Sequence, residues 1–363
     1  MPWPSRSKRH FAITGDSGQT ALAEVQRSQT GIPSLRLLAL VEGNIHDEVT
    51  VRRLLAAATG SLRGQASLAL PLGFFEIVTV SLPGMPEMAV GKALPYHLAK
   101  AVDRPLSDFI YDWQITKAQK DKLQVTVYLF PAKAFFFLRR ELAHRQLEIR
   151  FFEADVFAAF AYLAREGRLK PAETTMGVLV WPRQVSLAVY EQGKLMLVRT
   201  VALQQPQAGQ TVPFERETDE QPSVPAVAGE TGEISLEKLL PVGGDHILAG
   251  FNLLSAAETA DEPPRVAGPS SSAEQTAGDA DWSGYLQSLN LEIIRTRDYY
   301  ASVVKGQPIR KVVIGGGEEC WDRLEGLAAS SVGLPVQPLI RTHMVPNCPP
   351  LLAATALGTG ARW

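Results

Sequence analysis

Only two of the 363 residues are cysteine, Cys320 and Cys348, and neither sits in a CxxC or HxxH spacing. That scarcity excludes a disulfide framework and fits a reducing compartment such as the cytoplasm. His343 lies near Cys348 in sequence, but one such pair supplies too few ligands for a metal. A basic excess is also missing. Lys and Arg number 36 against 38 Asp and Glu, for a net charge of -2. With nothing to neutralise a phosphate backbone, no nucleic-acid partner is expected. No apolar run is long enough to span a bilayer. The most apolar stretch, Leu68 to Leu82, is broken by Pro71, Gly73 and Glu76. The basic opening, Met1 to His10, has no apolar core behind it and so is not a secretory signal. It reads as a frayed terminus, or more weakly as a few cations for an anionic membrane surface.

What is present is an ordinary globular composition, 45% hydrophobic and 20% charged, in a chain long enough for two or three domains. The apolar pattern alternates between strand and helix. Phe11–Thr14 and Ala21–Val25 read as strands around the turn Asp16-Ser-Gly-Gln-Thr20, and Leu35–Val41 continues them. Val51–Thr59 has helical spacing. Leu68–Leu72 and Phe75–Leu82 read as strands. Glu87–Ala101 reads as a helix, with Pro95 marking a kink or boundary. Asp112–Thr116 and Leu123–Phe130 form a predicted hairpin whose second strand alternates as a half-buried strand should. A helix over Ala132–Leu147 carries Phe135, Phe136 and Phe137, which are expected in the core. A strand at Ile149 and a helix over Asp155–Arg165 follow, and a three-strand meander runs from Gly177 to Val201.

The composition then changes. Residues 204–281 hold 14 acidic and 3 basic residues among abundant Pro, Gly, Ser and Ala. This predicts a disordered acidic insertion, too poor in apolar surface to offset chain entropy. A helix over Tyr285–Val304, a buried strand Lys311–Ile314, a helix over Cys320–Ser330 and a small-residue helix over Leu351–Gly360 complete the chain.

Two segments offer chemistry. In the turn Asp16-Ser17-Gly18-Gln19-Thr20, backbone N–H groups and a hydroxyl could meet phosphate oxygens, while the carboxylate holds Mg²⁺ through water. A plain Asp-Gly turn is the simpler reading of that pentapeptide alone. In Val312-Val-Ile-Gly315-Gly316-Gly317, glycines after a buried strand permit close approach of a nucleotide, although neither the dinucleotide fingerprint nor the P-loop lysine is present. The order of early turn, central meander and late strand-glycine-helix is that of the actin, heat-shock chaperone and sugar kinase class.

The chain resembles the PilM-like type IV pilus assembly proteins and the related cytoplasmic part of type II secretion L proteins. The resemblance is carried by Phe75-Glu-Ile-Val-Thr-Val-Ser-Leu-Pro-Gly-Met-Pro-Glu87, by Leu106-Ser-Asp-Phe-Ile-Tyr-Asp-Trp113 and by the stretch Val125–Leu163. It returns in Leu291–Tyr300, in Ile314–Gly317 and in Pro350–Gly358. It implies an α/β, actin-like (ribonuclease H-like) two-lobed fold. The first lobe would cover 1–172 with an inserted subdomain over about 68–150. The second would cover 173–203 and 282–340, and 341–363 would return to the first. Asp16, Gly18, Gln19, Thr20, Gly315, Gly316 and Gly317 become the candidate nucleotide-binding residues.

The departures shape the functional expectation. Where such proteins open a second phosphate hairpin with Asp-Ile-Gly, this chain has Leu179-Val-Trp-Pro-Arg-Gln184. Trp181 and Pro182 add bulk and remove a donor. Arg183 is left either to meet a phosphate or to be a solvated charge. Hydrolysis is expected to be absent or negligible, with no cofactor required and ATP with Mg²⁺ at most weakly bound. The resemblance then implies a scaffold, peripheral to the inner membrane. It would bind the N-terminal cytoplasmic peptide of a PilN-like bitopic partner, of the type Ile-Asn-Leu-Leu-Pro, in a groove on the first lobe. Phe251-Asn-Leu-Leu254 is similar to that peptide and could occupy the same groove, although a chance apolar tetrad is the plainer reading. The alternative is an active actin-fold ATPase or sugar kinase, which needs a carboxylate from Asp155 or Glu173. A polymerising FtsA-like protein fits less well, since Gly358–Trp363 is no amphipathic membrane helix.

Overall fold

The computed structural model describes residues 9–16, 18–26, 34–118, 121–170, 172–206, 276–316, 333–340 and 348–360. The glycine Gly317, the helix expected over Cys320–Ser330 and the tetrad Phe251–Leu254 lie outside them, as does most of the predicted acidic insertion.

Two five-stranded sheets follow one plan. In the first, β1 (His10–Gly15), β2 (Gln19–Gln26) and β3 (Ser34–Glu42) form an antiparallel meander. Then β4 (Gly64–Leu70) and β8 (Leu147–Ala154) add in parallel beside β1, for the order β3-β2-β1-β4-β8. In the second, β9 (Thr174–Val180), β10 (Gln184–Glu191) and β11 (Lys194–Ala202) form the meander. Strands β12 (Ile309–Gly315) and β13 (Val336–Pro338) then add in parallel beside β9. The meanders need only short turns, whereas each parallel addition needs a crossover.

Between β4 and β8 the chain inserts a smaller unit. Strands β5 (Glu76–Pro83), β7 (Lys122–Pro131) and β6 (Phe109–Ala118) form a three-stranded sheet. Helix α2 (Glu87–Ala101) buries Val90, Leu94 and Leu98 against it. Pro95 does not end this helix, and its missing N–H leaves the Gly91 carbonyl without the usual donor. The strand β7 alternates only at its start. From Val125 to Phe130 every residue is buried, because its second face is covered by the body of the protein: Tyr128 packs on Phe157, and Phe130 on Phe75 and Phe152.

On the first sheet, α1 (Glu48–Ala57) and α3 (Ala132–His144) cover one face. Asp47 opens α1 by accepting from the N–H groups of Val49 and Thr50. Of the three phenylalanines on α3, Phe137 is buried and Phe135 packs on Phe152, but Phe136 is 54% exposed. Three consecutive helical positions cannot share one face. On the second sheet, α5 (Thr276–Tyr299) covers one face with Tyr285, Leu289 and Ile293. It starts at Thr276, ahead of the helix expected from Tyr285.

Two helices, α4 (Asp155–Arg165) and α6 (Pro350–Gly360), each pack on strands of both sheets. They meet at Gly358, where any Cβ would overlap the Ala158 carbonyl. This close pair, with Leu72, Trp181, Leu179 and Leu357, forms the core that joins the halves. No helix among the described residues is long and apolar enough to cross a membrane.

Candidate functional site

The early turn lies between β1 and β2 and satisfies itself. Asp16 Oδ1 accepts from the backbone N–H of Gly18 (2.6 Å) and of Gln19 (2.7 Å), and the Asp16 N–H donates to Gln19 O (2.8 Å). Thr20 is buried, and its hydroxyl donates to Gly43 O (2.9 Å), while the Gly43 N–H returns to Gly18 O (2.7 Å). At Gly15 a Cβ would stand 2.8 Å from Thr20 Oγ1, so this strand end must be glycine. The donors predicted to meet phosphate at Gly18 and Gln19 therefore point at Asp16. Asp16 is 7% exposed, and burial raises its carboxyl above the ordinary range. The two N–H groups and the charge of Arg183 oppose that shift. Arg183 itself is exposed and sits in the turn between β9 and β10. The charge of Arg183 in one turn is thus felt at the carboxylate of the other.

The second turn is closed by a buried carboxylate. Trp181 is 2% exposed, and its indole Nε1–H donates to Asp155 Oδ2 at 2.6 Å. The Ser186 hydroxyl donates to the same oxygen (2.7 Å), while Oδ1 accepts from the N–H groups of Leu72 (3.0 Å) and Val156 (2.8 Å). Four donors from four different elements therefore converge on one side chain that is fully inaccessible. Burial pushes the Asp155 carboxyl up to about 6, with the four hydrogen bonds pulling against it. The turn's carbonyls are also engaged: Pro182 O accepts from Gln205 (2.8 Å) and Arg183 O from Leu203 (3.3 Å). From the other half, the short helical turn Leu72–Phe74 presses directly on this hairpin. A Cβ at Gly73 would overlap the Gln184 side-chain amide and crowd Thr200.

The late glycines split. Gly315 ends β12 and is buried. A Cβ there would lie 2.8 Å from Leu339, 2.9 Å from Leu351 and 3.3 Å from Leu179. Its lack of a side chain serves leucine packing between β12, β9 and α6. Gly316 is half-buried beside it.

Of the two carboxylates that a catalytic site would need, Glu173 stands at the start of β9, the end away from Trp181, and pairs with Lys170 and Lys311. Asp155 is in place but fully occupied. Its role was not read from the sequence. The available signal was an aspartate opening a helix inside Phe151-Phe-Glu-Ala-Asp-Val-Phe157, where an unpartnered carboxylate could not be buried. Among the described residues no cluster of three or more His, Cys, Asp or Glu side chains could hold a metal.

No protein-family model matches the chain, and no curated protein matches it in sequence. A chain of the PilM–PilN type IV pilus biogenesis complex superposes with a TM-score of 0.60 at 14% identity, covering 97% of this chain and 98% of that one. The chain has that fold. Its duplicated meander-plus-parallel sheets, joined by two central helices, are the two-lobed actin-like plan that motif order implied. A Bacteroides thetaiotaomicron protein with an actin-like ATPase fold aligns at 0.47 and 8% identity, over 91% of this chain and 90% of that one. The cytoplasmic domain of EpsL from the Vibrio cholerae type II secretion system aligns at 0.36 and 10% identity, over 53% of this chain and 71% of that one. In this chain the side chains of Asp16 and Trp181 turn into their own turns, where each meets hydrogen-bond partners of the chain itself.

Proposed function

We propose that the chain is a non-catalytic scaffold of a type IV pilus or type II secretion inner-membrane platform. Its nucleotide site would be degenerate, and its partner a PilN-like bitopic protein bound through an N-terminal peptide. The observation that carries the reading is the Trp181 indole bound to Asp155 in the turn where a second phosphate loop would be. A phosphate there would have to displace a buried ring and strip a buried carboxylate of a donor, a cost of several kcal/mol set against binding. The self-capped turn at Asp16 supports the same reading, since the N–H groups of Gly18 and Gln19 are already paired. The shared fold with a PilM–PilN complex chain supports the choice of partner class, and peripheral membrane association would follow from that partner.

Calorimetry tests it in two steps on the purified chain. Mg-ATP is expected to give no saturable heat at millimolar concentration and no phosphate release. A peptide of the Ile-Asn-Leu-Leu-Pro type is expected to bind saturably. Tight Mg-ATP binding with turnover would overturn the reading in favour of an actin-fold ATPase or sugar kinase.

A further inference from the structure

Far from the two turns, at the opposite end of the parallel strands of the second sheet, lies a depression of about 480 Å³. Two basic pairs distant in sequence line it: Arg168 and Lys170 after α4, and Arg310 and Lys311 at the start of β12. They stand with Glu166 and Glu173. The four cations exceed the two carboxylates.

Two of these groups, Lys311 and Arg168, are buried and fixed in place, while Lys170 is exposed at the rim. Lys311 is 9% exposed, and its Nζ donates to Arg168 O (2.5 Å) and Glu173 Oε2 (3.0 Å). Lys170 takes the other oxygen of Glu173 at 3.1 Å. The Arg168 guanidinium donates to the carbonyls of Pro338 and Leu339, each at 2.6 Å. Glu173, held below the ordinary carboxylate range first by Lys311 and then by Lys170, is thus shared by two cations. Arg310 differs from all of these. It is exposed and makes no hydrogen bond or ion pair within the described residues. The pairing of β12 with β9 shifts register between Ile309 and Lys311. Such an irregularity breaks strand alternation and lets consecutive residues face the same side. It brings Arg310 to the depression that Lys311 already lines.

We propose that this depression binds a small soluble anion bearing phosphoryl groups. Arg310 and Lys170 would engage it from the rim, over the fixed guanidinium of Arg168. Guanidinium forks match phosphate oxygens, lysines add point charge, and the volume is that of a small-ligand site. The site is independent of the reading given above, because it shares no residue with the two turns.

Pyrophosphate titrated without divalent metal into the full chain at low ionic strength tests it. Saturable binding is expected. The double variant Arg310→Ala/Lys170→Ala, which removes two exposed side chains and spares the fold, should weaken it about tenfold or more. Trp181→Phe should leave it unchanged. Three outcomes would overturn the proposal: no saturation at millimolar pyrophosphate, equal affinity in the double variant, or variant-sensitive binding to phosphatidylglycerol vesicles without pyrophosphate binding. The last would assign the patch to a membrane surface.

Discussion

At the residue scale Asp155 dominates. Its four acceptor bonds leave no lone pair for water, so any change of hydrogen-bonding sense is exposed as strain. In Asp155→Asn the new amide donors must face either two backbone N–H groups or the indole and hydroxyl. We expect a loss of about 2–4 kcal/mol, read from urea denaturation. The same residue gives a signed pH dependence. Its carboxyl moves from an ordinary 3.8 to about 6 on folding, so the folded chain binds more protons than the unfolded chain between those values. The stabilisation tied to this group is complete below the unfolded value and is lost as pH rises through about 6. The shift corresponds to about 3 kcal/mol. Carboxylates such as Glu24, lowered chiefly by its bond to Arg9, slope the other way. The diagnostic is therefore the difference between wild-type and Asp155→Asn denaturation curves over pH 4–7. Parallel curves would refute the assignment.

At the element scale the glycines of α5 and α6 make opposite demands. Gly358 lies where α6 meets the backbone of α4, and its Cβ would overlap the Ala158 carbonyl. Gly358→Ala must push two central helices apart, and a loss of about 3 kcal/mol is expected in chemical denaturation. Gly284 lies within α5 with open space around it. Gly284→Ala should therefore stabilise the protein by about 0.5–1 kcal/mol, raising the denaturation midpoint without changing its slope. The helix α3 shows a related limit. Its three phenylalanines divide between core and solvent because helical geometry, not hydrophobicity, assigns their directions.

At the scale of the whole molecule, the two sheets are joined at the second turn by a shared core. Leu72, Trp181 and Leu179 share one core with α4 and α6, and Gln114 of the inserted unit donates to Leu195 O of the second sheet (3.3 Å). A ligand that bound the native state would raise its melting temperature by mass action. Mg-ATP at millimolar concentration is expected to shift it by less than about 1 °C. Trp181→Ala should lower the melting temperature by several degrees and restore no nucleotide-dependent shift, because the turn still lacks a metal carboxylate and Pro182 still lacks an N–H. A clear shift with either protein would count against a degenerate site.

The sequence by itself determined the periodic elements, the two meanders and the order of turn, meander and glycine strand. These depend on local spacing: Asp16–Thr20 carries the residues of a turn, and Leu123–Phe130 is a strand by its alternating sequence. It also showed that Leu179–Gln184 holds no carboxylate of its own. Tertiary structure alone decided which carboxylate lies against that turn. The Trp181 side chain turns inward because Asp155, 26 positions away, supplies a buried acceptor. Gly315 admits leucines because α6 returns across it. Thr126, Tyr128 and Phe130 are buried because the inserted sheet lies against the main body. Hydrogen-bond satisfaction and close packing are properties of neighbours in space, and neighbours so far apart in sequence leave no periodic trace along the chain.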